Sequence, residues 1–238
     1  TMTRIQTGFL AFLCVAACLV AGQRDATASA APRSAAAGTT VLTCEPLTMG
    51  LGNLVQVMDR ALQGYAGRHG TPVAVPTTVD LSYAGLLRGR DILDSYIRRT
   101  PGKKIVFGYS RGAQIASEWL REYAGRPDAP RASELSFVLI GNPLRRLGGK
   151  PHMKTLEGVE MQPTPDTTQY TVTDISKRWD GWANADNWPE GPSDMGAMMR
   201  LSGVGRFFDH SAYDTTLLGD RRDQIRAVVG HTTYVVAP

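Results

Sequence analysis

A chain of 238 residues, 42% hydrophobic and 20% charged, is long enough for one sizeable domain with a full core of its own and short for two. The formal net charge is +4. The cations are scattered, with short pairs such as Arg98-Arg99, Arg145-Arg146 and Arg221-Arg222 but no basic stripe interleaved with aromatics, so no nucleic-acid partner is expected.

The first 30 residues read as an export signal. Arg4 gives a positive start, Gly8 to Ala21 is an apolar run short of a membrane span, and Ala28-Ser29-Ala30 offers a small-residue cleavage pattern. Residues 31–40 read as a flexible leader, and 41–238 as the folded domain. A secreted or cell-envelope location follows. Val15-Ala16-Ala17-Cys18 also has the form of a bacterial lipobox, which makes a lipid anchor at Cys18 the alternative. Of the three cysteines, two lie inside this signal. Cys44 is left as a lone thiol, which excludes an internal disulfide and reads as buried at a strand end rather than as a nucleophile.

From Thr39 onward β-rich runs alternate with helical ones. Thr40 to Thr43 is a strand. Leu51 to Gly67 has helical spacing, and Thr71 to Pro76 is a short Val-rich run. Tyr83 to Ile97 is helical and is punctuated by Pro101-Gly102. Lys103 to Tyr109 is a continuous apolar strand, and Gly112 to Tyr123 a helix. Leu135 to Ile140 is a buried strand stopped by Gly141-Asn142-Pro143, and a long Gly/Pro-rich segment follows. Tyr170 to Ile175 alternates like a strand. Ser193 to Leu201 reads as a short helix, Arg221 to Val229 as a final helix, and Thr232 to Val236 as a closing strand. This alternation predicts an α/β fold of the α/β-hydrolase type: a mostly parallel sheet with helices on both faces.

Gly108-Tyr109-Ser110-Arg111-Gly112 is a G-x-S-x-G pentapeptide. The pattern is common, but here it joins a strand directly to a helix, the setting a nucleophile elbow requires. A serine there projects its hydroxyl above the sheet, and the following N–H, that of Arg111, can donate to an oxyanion. The hydroxyl needs a base and the base an orienting carboxylate, in the chain order Ser, acid, His. Of the four histidines, His69 precedes the serine and His152 lies in the Gly/Pro-rich segment. His231 opens a β-rich run. His210, in a loop ahead of the last elements, is favoured by order and position. Asp174, Asp186, Glu190 and Asp194 compete for the acid. Asp180, first after the strand and followed by Gly181, is best placed, with an ordinary turn aspartate as the rival reading.

These residues resemble the PE-PPE-domain serine hydrolases of mycobacteria, a cutinase-related branch of the α/β-hydrolases. The likeness rests on Val106 to Ala113, on Leu135 to Pro143 continuing to Gly148-Gly149, on Asp174-Ile175 through Asp180-Gly181-Trp182-Ala183, and on His210-x-x-Tyr213 with Thr232-Thr233-Tyr234. The resemblance implies that Ser110, Asp180 and His210 are nucleophile, acid and base, that the substrates are acyl esters or lipids, and that no metal or organic cofactor is used. It implies a sugar acceptor where the acyl chain is transferred onto an envelope glycolipid rather than hydrolysed. Peripheral contact with envelope lipid is an expectation from the mildly basic charge alone, with no polybasic cluster behind it. A signal segment stands where family members often carry a PE or PPE helical module, which implies ordinary export. One segment departs from the family pattern. Where a Gly-rich stretch is usual after the first strand, this chain reads Thr43-Cys44-Glu45-Pro46-Leu47-Thr48, so Thr43 or a neighbouring N–H is the expected second oxyanion donor. Met195, Met198, Met199, Leu201, Phe207 and Phe208 read either as a surface for an acyl chain or as core.

Overall fold

A computed structural model describes residues 38–48, 56–77, 79–191, 194–216 and 224–238. The expected signal, most of the leader and Cys18 lie outside them.

Seven strands of the described residues form one sheet: β1 (Thr39–Cys44), β2 (Thr71–Ala74), β3 (Lys103–Tyr109), β4 (Leu135–Ile140), β5 (Val172–Lys177), β6 (Ile225–Val229) and β7 (Thr232–Ala237). Their order is β2-β1-β3-β4-β5-β7-β6, parallel throughout except for the antiparallel pair β6–β7. The helices are α1 (Val57–His69), α2 (Tyr83–Arg99), α3 (Arg111–Glu122), α4 (Met195–Ser202) and the single turn α5 (Val204–Phe207), with a 3₁₀ turn at Asp209–Ser211.

Period-two alternation divides each central strand between two cores. Leu42, Val106, Phe137, Leu139 and Val172 face α2 and α3, which contribute Leu86, Leu93, Ile97, Ile115 and Trp119. Val41, Phe107, Val138, Ile140 and Ile175 face α1, which contributes Met58, Leu62 and Tyr65. Burial on both faces is why β3 reads as an unbroken apolar run. The chain has the α/β-hydrolase arrangement, and the loops after β3, β4 and β5 leave the same edge of the sheet.

Two expectations are corrected. The helix expected over Leu51 to Gly67 is described from Val57 and is broken inside, where Ala61 to Gly64 leave helical geometry. The freed N–H groups of Leu62 and Gln63 donate to the carbonyls of Tyr213 and Asp214 at 2.8 and 2.9 Å. A tertiary contact thus replaces two helical bonds. Of the final helix expected over Arg221 to Val229, residues 221–223 lie outside those described, and Ile225–Val229 form instead the strand β6, joined to β7 by the two-residue turn Gly230-His231. Ile225, Val228 and Val229 fit helical spacing over so short a run, but they are β-branched, and pairing with β7 decides the outcome.

Candidate active site

The turn from β3 into α3 is tight. Ser110 sits at φ 52°, ψ −107°, a conformation that a residue with a side chain adopts only under constraint. The constraint is close packing around it. A Cβ at Gly112 would stand 2.0 Å from the Cys44 carbonyl oxygen on β1, and one at Gly108 would stand 2.8 Å from the Gly112 carbonyl oxygen. Only hydrogen fits at either position, so the first and last residues of the pentapeptide are both glycine. The Ser110 N–H is tied to the Ile140 carbonyl at 3.0 Å, which pins the turn to β4. Arg111 is the first residue of α3, where N–H groups are not consumed by the helix. Its guanidinium donates to the carbonyls of Asp80 and Ser82, both at 3.1 Å, and so tethers the entry to α2 beside the turn.

The Ser110 hydroxyl lies 2.8 Å from Nε2 of His210. Nδ1 of His210 lies 2.9 Å from each carboxylate oxygen of Asp180. Asp180 is fully buried and is met by three further donors. The N–H groups of Trp182 and Ala183 reach Oδ1 at 2.8 and 2.9 Å, and the Tyr213 hydroxyl reaches Oδ2 at 2.7 Å. Burial alone would raise this carboxyl. The His210 charge and these hydrogen bonds outweigh it and lower the group below its ordinary value. Asp180 therefore stays ionised, although no solvent reaches it.

The sequence also carries two positioning tyrosines not singled out as site residues by their chemistry. Tyr109, beside the serine, donates from its hydroxyl to the backbone carbonyl of His210. Tyr213, in the stretch quoted for the family likeness, holds Asp180 and accepts from the Lys177 N–H at 3.0 Å. The two rings meet edge to face at 5.3 Å. Burial, and after it the Asp180 charge, raises both phenols well above their usual range, so both remain donors.

The other candidates lie elsewhere. His231 precedes β7 at the opposite edge of the sheet, with Nδ1 on the Thr168 carbonyl. His69 stacks on Tyr65 and contacts its carbonyl at 2.9 Å, and His152 is exposed beside Glu160. Asp194 caps α4. Glu190 pairs with Arg178. Asp186 binds Gly148 through its N–H at 3.4 Å. Asp174 is buried in a separate network on the opposite face of β5 from Ile175. Asn142 donates to it at 2.8 Å, and Arg145, itself fully buried, lies 3.5 Å away. Thr43 lies inside β1 and turns toward β2: its carbonyl accepts from the Val75 N–H at 2.9 Å and its hydroxyl lies 3.5 Å from the Val73 carbonyl. Of the stretch after β1, residues 49–55 lie outside those described. Cys44 is buried, and burial, then the neighbouring Glu45, pushes its thiol up to about 12. Among the described residues no group of three His, Cys, Asp or Glu is placed to hold a metal ion.

The family model of the PE-PPE domain matches residues 69–238. The chain is 32% identical over 153 residues to Esterase PE16 of Mycobacterium tuberculosis, covering 56% of this chain and 27% of that protein. It is 27% identical over 128 residues to SL1278 acyltransferase Chp1 of the same organism, covering 52% of this chain and 30% of that protein. It thus spans less than a third of each of these relatives. Among solved structures it is similar to a cutinase-like protein from Cryptococcus sp., at 19% identity and a TM-score of 0.41, over 78% of this chain and 95% of that one.

Proposed function

The chain belongs to the PE-PPE domain family, and from that premise we propose that it is a serine hydrolase cleaving carboxylic esters through an acyl-enzyme on Ser110. The observation that carries this reading is the unbroken hydrogen-bonded line from the Ser110 hydroxyl through His210 to the buried Asp180 carboxylate.

In this mechanism His210, its Nδ1–H held by Asp180, takes the Ser110 proton at Nε2 as the serine oxygen attacks the ester carbonyl. The Arg111 N–H, at the positive end of α3, stabilises the oxyanion. A second donor comes from the end of β1. Because Thr43 turns its carbonyl and hydroxyl toward β2, a neighbouring amide fits that role better. His210 then protonates the departing alcohol, and a water activated by the same imidazole releases the acid and restores the serine.

Export to the cell envelope or beyond, from the signal-like first 30 residues, belongs to the same proposal. A second reading has one observation in its favour, the similarity to an acyltransferase. In it a sugar hydroxyl takes the place of water in the second step.

Labelling with a fluorophosphonate probe tests the proposal. The wild type is expected to react stoichiometrically and Ser110→Ala not at all; a folded wild type that resists labelling would overturn it. Product analysis with and without trehalose separates water from a sugar as acceptor.

A further inference from the structure

The end of β4 meets both partners of the Ser110–His210 bond. The Ile140 carbonyl accepts from the Ser110 N–H at 3.0 Å. Gly141, next in the chain, lies against the His210 ring. A Cβ there would stand 3.1 Å from Cε1 of His210, and 3.1 and 3.3 Å from the rings of Tyr109 and Tyr213. Cε1 lies between the two ring nitrogens, so a shift of Gly141 moves the contacts with Ser110 and with Asp180 together. Gly141 holds a left-handed φ of 54°, and its N–H donates to the Ile175 carbonyl at 3.1 Å.

The residue that follows anchors this turn. The Asn142 Nδ2 donates to Asp174 Oδ2 at 2.8 Å and to Thr164 Oγ1 at 2.9 Å, and its Oδ1 accepts from the Leu144 N–H at 3.0 Å. The Thr164 and Ser117 hydroxyls lie 2.8 Å apart, which extends the line to α3, the helix that starts beside the nucleophile. Asp174 is braced in turn by Arg145, 3.5 Å away, whose Nη1 donates to the Val235 carbonyl of β7 at 3.2 Å. Asn142, Asp174, Arg145, Thr164 and Ser117 are all fully buried.

Filling this space does not call for such a network. Apolar side chains of similar size would do so without taking an ion pair and three other polar groups out of water. Matched buried donors and acceptors instead fix one backbone arrangement. The arrangement fixed here is the turn that meets the serine and the base.

We propose that Asn142 and Asp174 are positioning residues of the active site: their buried bond holds the Ile140-Gly141 step, and that step sets the alignment of the Ser110 hydroxyl with the His210 imidazole. Both act through Gly141 and not on substrate. The use of the alignment, ester cleavage, rests on the hydrolase reading. The alignment itself is measured without turnover.

An exchange of donor and acceptor tests it, at a pH well above the value of about 6 to which burial, opposed chiefly by Arg145, raises the Asp174 carboxyl. Asn142→Asp sets two carboxylates against each other. It is expected to lower kcat on a short-chain nitrophenyl ester by about thirtyfold, with KM within about twofold of wild type. Asp174→Asn keeps an amide–amide bond but leaves Arg145 without its partner, and is expected to cost about fivefold in kcat. The double variant, Asn142→Asp with Asp174→Asn, restores one donor, one acceptor and one charge, and is expected within about threefold of wild type. The nitrogen NMR shifts of the His210 imidazole read the contacts of both ring nitrogens directly. They are expected to move in Asn142→Asp and to return in the double variant. Thermal melts establish which variants fold, and Asp174→Asn carries the test if Asn142→Asp does not. Folded variants that melt lower while keeping kcat and the imidazole shifts would reduce the network to a structural role and overturn the proposal. So would a double variant as impaired as Asn142→Asp. A folded wild type that resists the fluorophosphonate probe would instead sink the hydrolase reading, and the imidazole shifts alone would then decide the positioning.

Discussion

Asp180→Asn keeps the shape of the side chain and removes its charge. Two backbone N–H groups, of Trp182 and Ala183, point at Oδ1. An amide nitrogen placed there would leave both unsatisfied, at about 1–3 kcal/mol each, so the nitrogen must take the Oδ2 position. There it faces the Tyr213 hydroxyl and Nδ1 of His210. A donor at that point favours the imidazole tautomer with its proton on Nε2, which cannot accept from Ser110. The imidazolium formed in the transition state also loses its partner. At about 4 Å and an effective dielectric of about 20 that attraction is roughly 4 kcal/mol, close to a thousandfold in rate. With the tautomer effect added, kcat/KM on a short-chain nitrophenyl ester is expected to fall by about 10³ to 10⁴. A folded Asp180→Asn enzyme losing less than about tenfold would refute the claim that this charge is used.

Three further outcomes are expected. His210→Ala should lower kcat/KM by about a thousandfold or more, while His231→Ala, at the far edge of the sheet, should leave it within about twofold; the reverse result in folded proteins would exchange the two assignments. Gly112→Ala places a methyl 2.0 Å from the Cys44 carbonyl oxygen and 2.8 Å from its Cβ, so urea unfolding should show a loss of about 3 kcal/mol or more, and a change under about 1 kcal/mol would mean that the turn has room to spare. Asp174 gives a pH signature. Burial, opposed chiefly by Arg145, pushes its carboxyl from 3.8 up to about 6. Between those values the folded chain binds the proton that the unfolded chain has released, so this group makes stability fall as pH rises from about 4 to about 6, by up to roughly 3 kcal/mol. Asp174→Asn should flatten that slope relative to wild type in melts across the range, and parallel slopes would count against it.

Much of the fold was legible because its signals are local. Ile105-Val106-Phe107 needs no partner to read as a buried strand, and the step from Tyr109 to Arg111 is a strand–turn–helix in any context. Ser110, Asp180 and His210 were reached by chain order and by family likeness, and they lie in hydrogen-bond contact. What escaped depends on distant partners. The break at Ala61 to Gly64 exists because Tyr213 and Asp214 accept the freed N–H groups. The strand Ile225–Val229 is settled by β7 across a two-residue turn. Tyr109 reads in the sequence as one more apolar residue of β3, since its hydroxyl partner lies 101 residues further on. Asp174 could face either way along an alternating run, and only the placement of Asn142 and Arg145 shows which.

The Tyr109 hydroxyl on the His210 carbonyl has a consequence for how this site can change. His210 is clamped by β3 through Tyr109, the residues after it by the Lys177 ammonium on the Ala212 carbonyl and by the α1 break on Tyr213 and Asp214. The segment ahead of it adds its own ties at its end, where the Ser211 N–H and hydroxyl donate to the carbonyls of Phe208 and Phe207 at 3.2 and 2.7 Å. His210 is thus held from three sides, and substitutions early in α4 are expected to leave its alignment as it is, while a change of length next to Phe207 and Phe208 is expected to disturb it. Such substitutions must still leave a glycine under the Trp179 carbonyl, where Gly205 passes now.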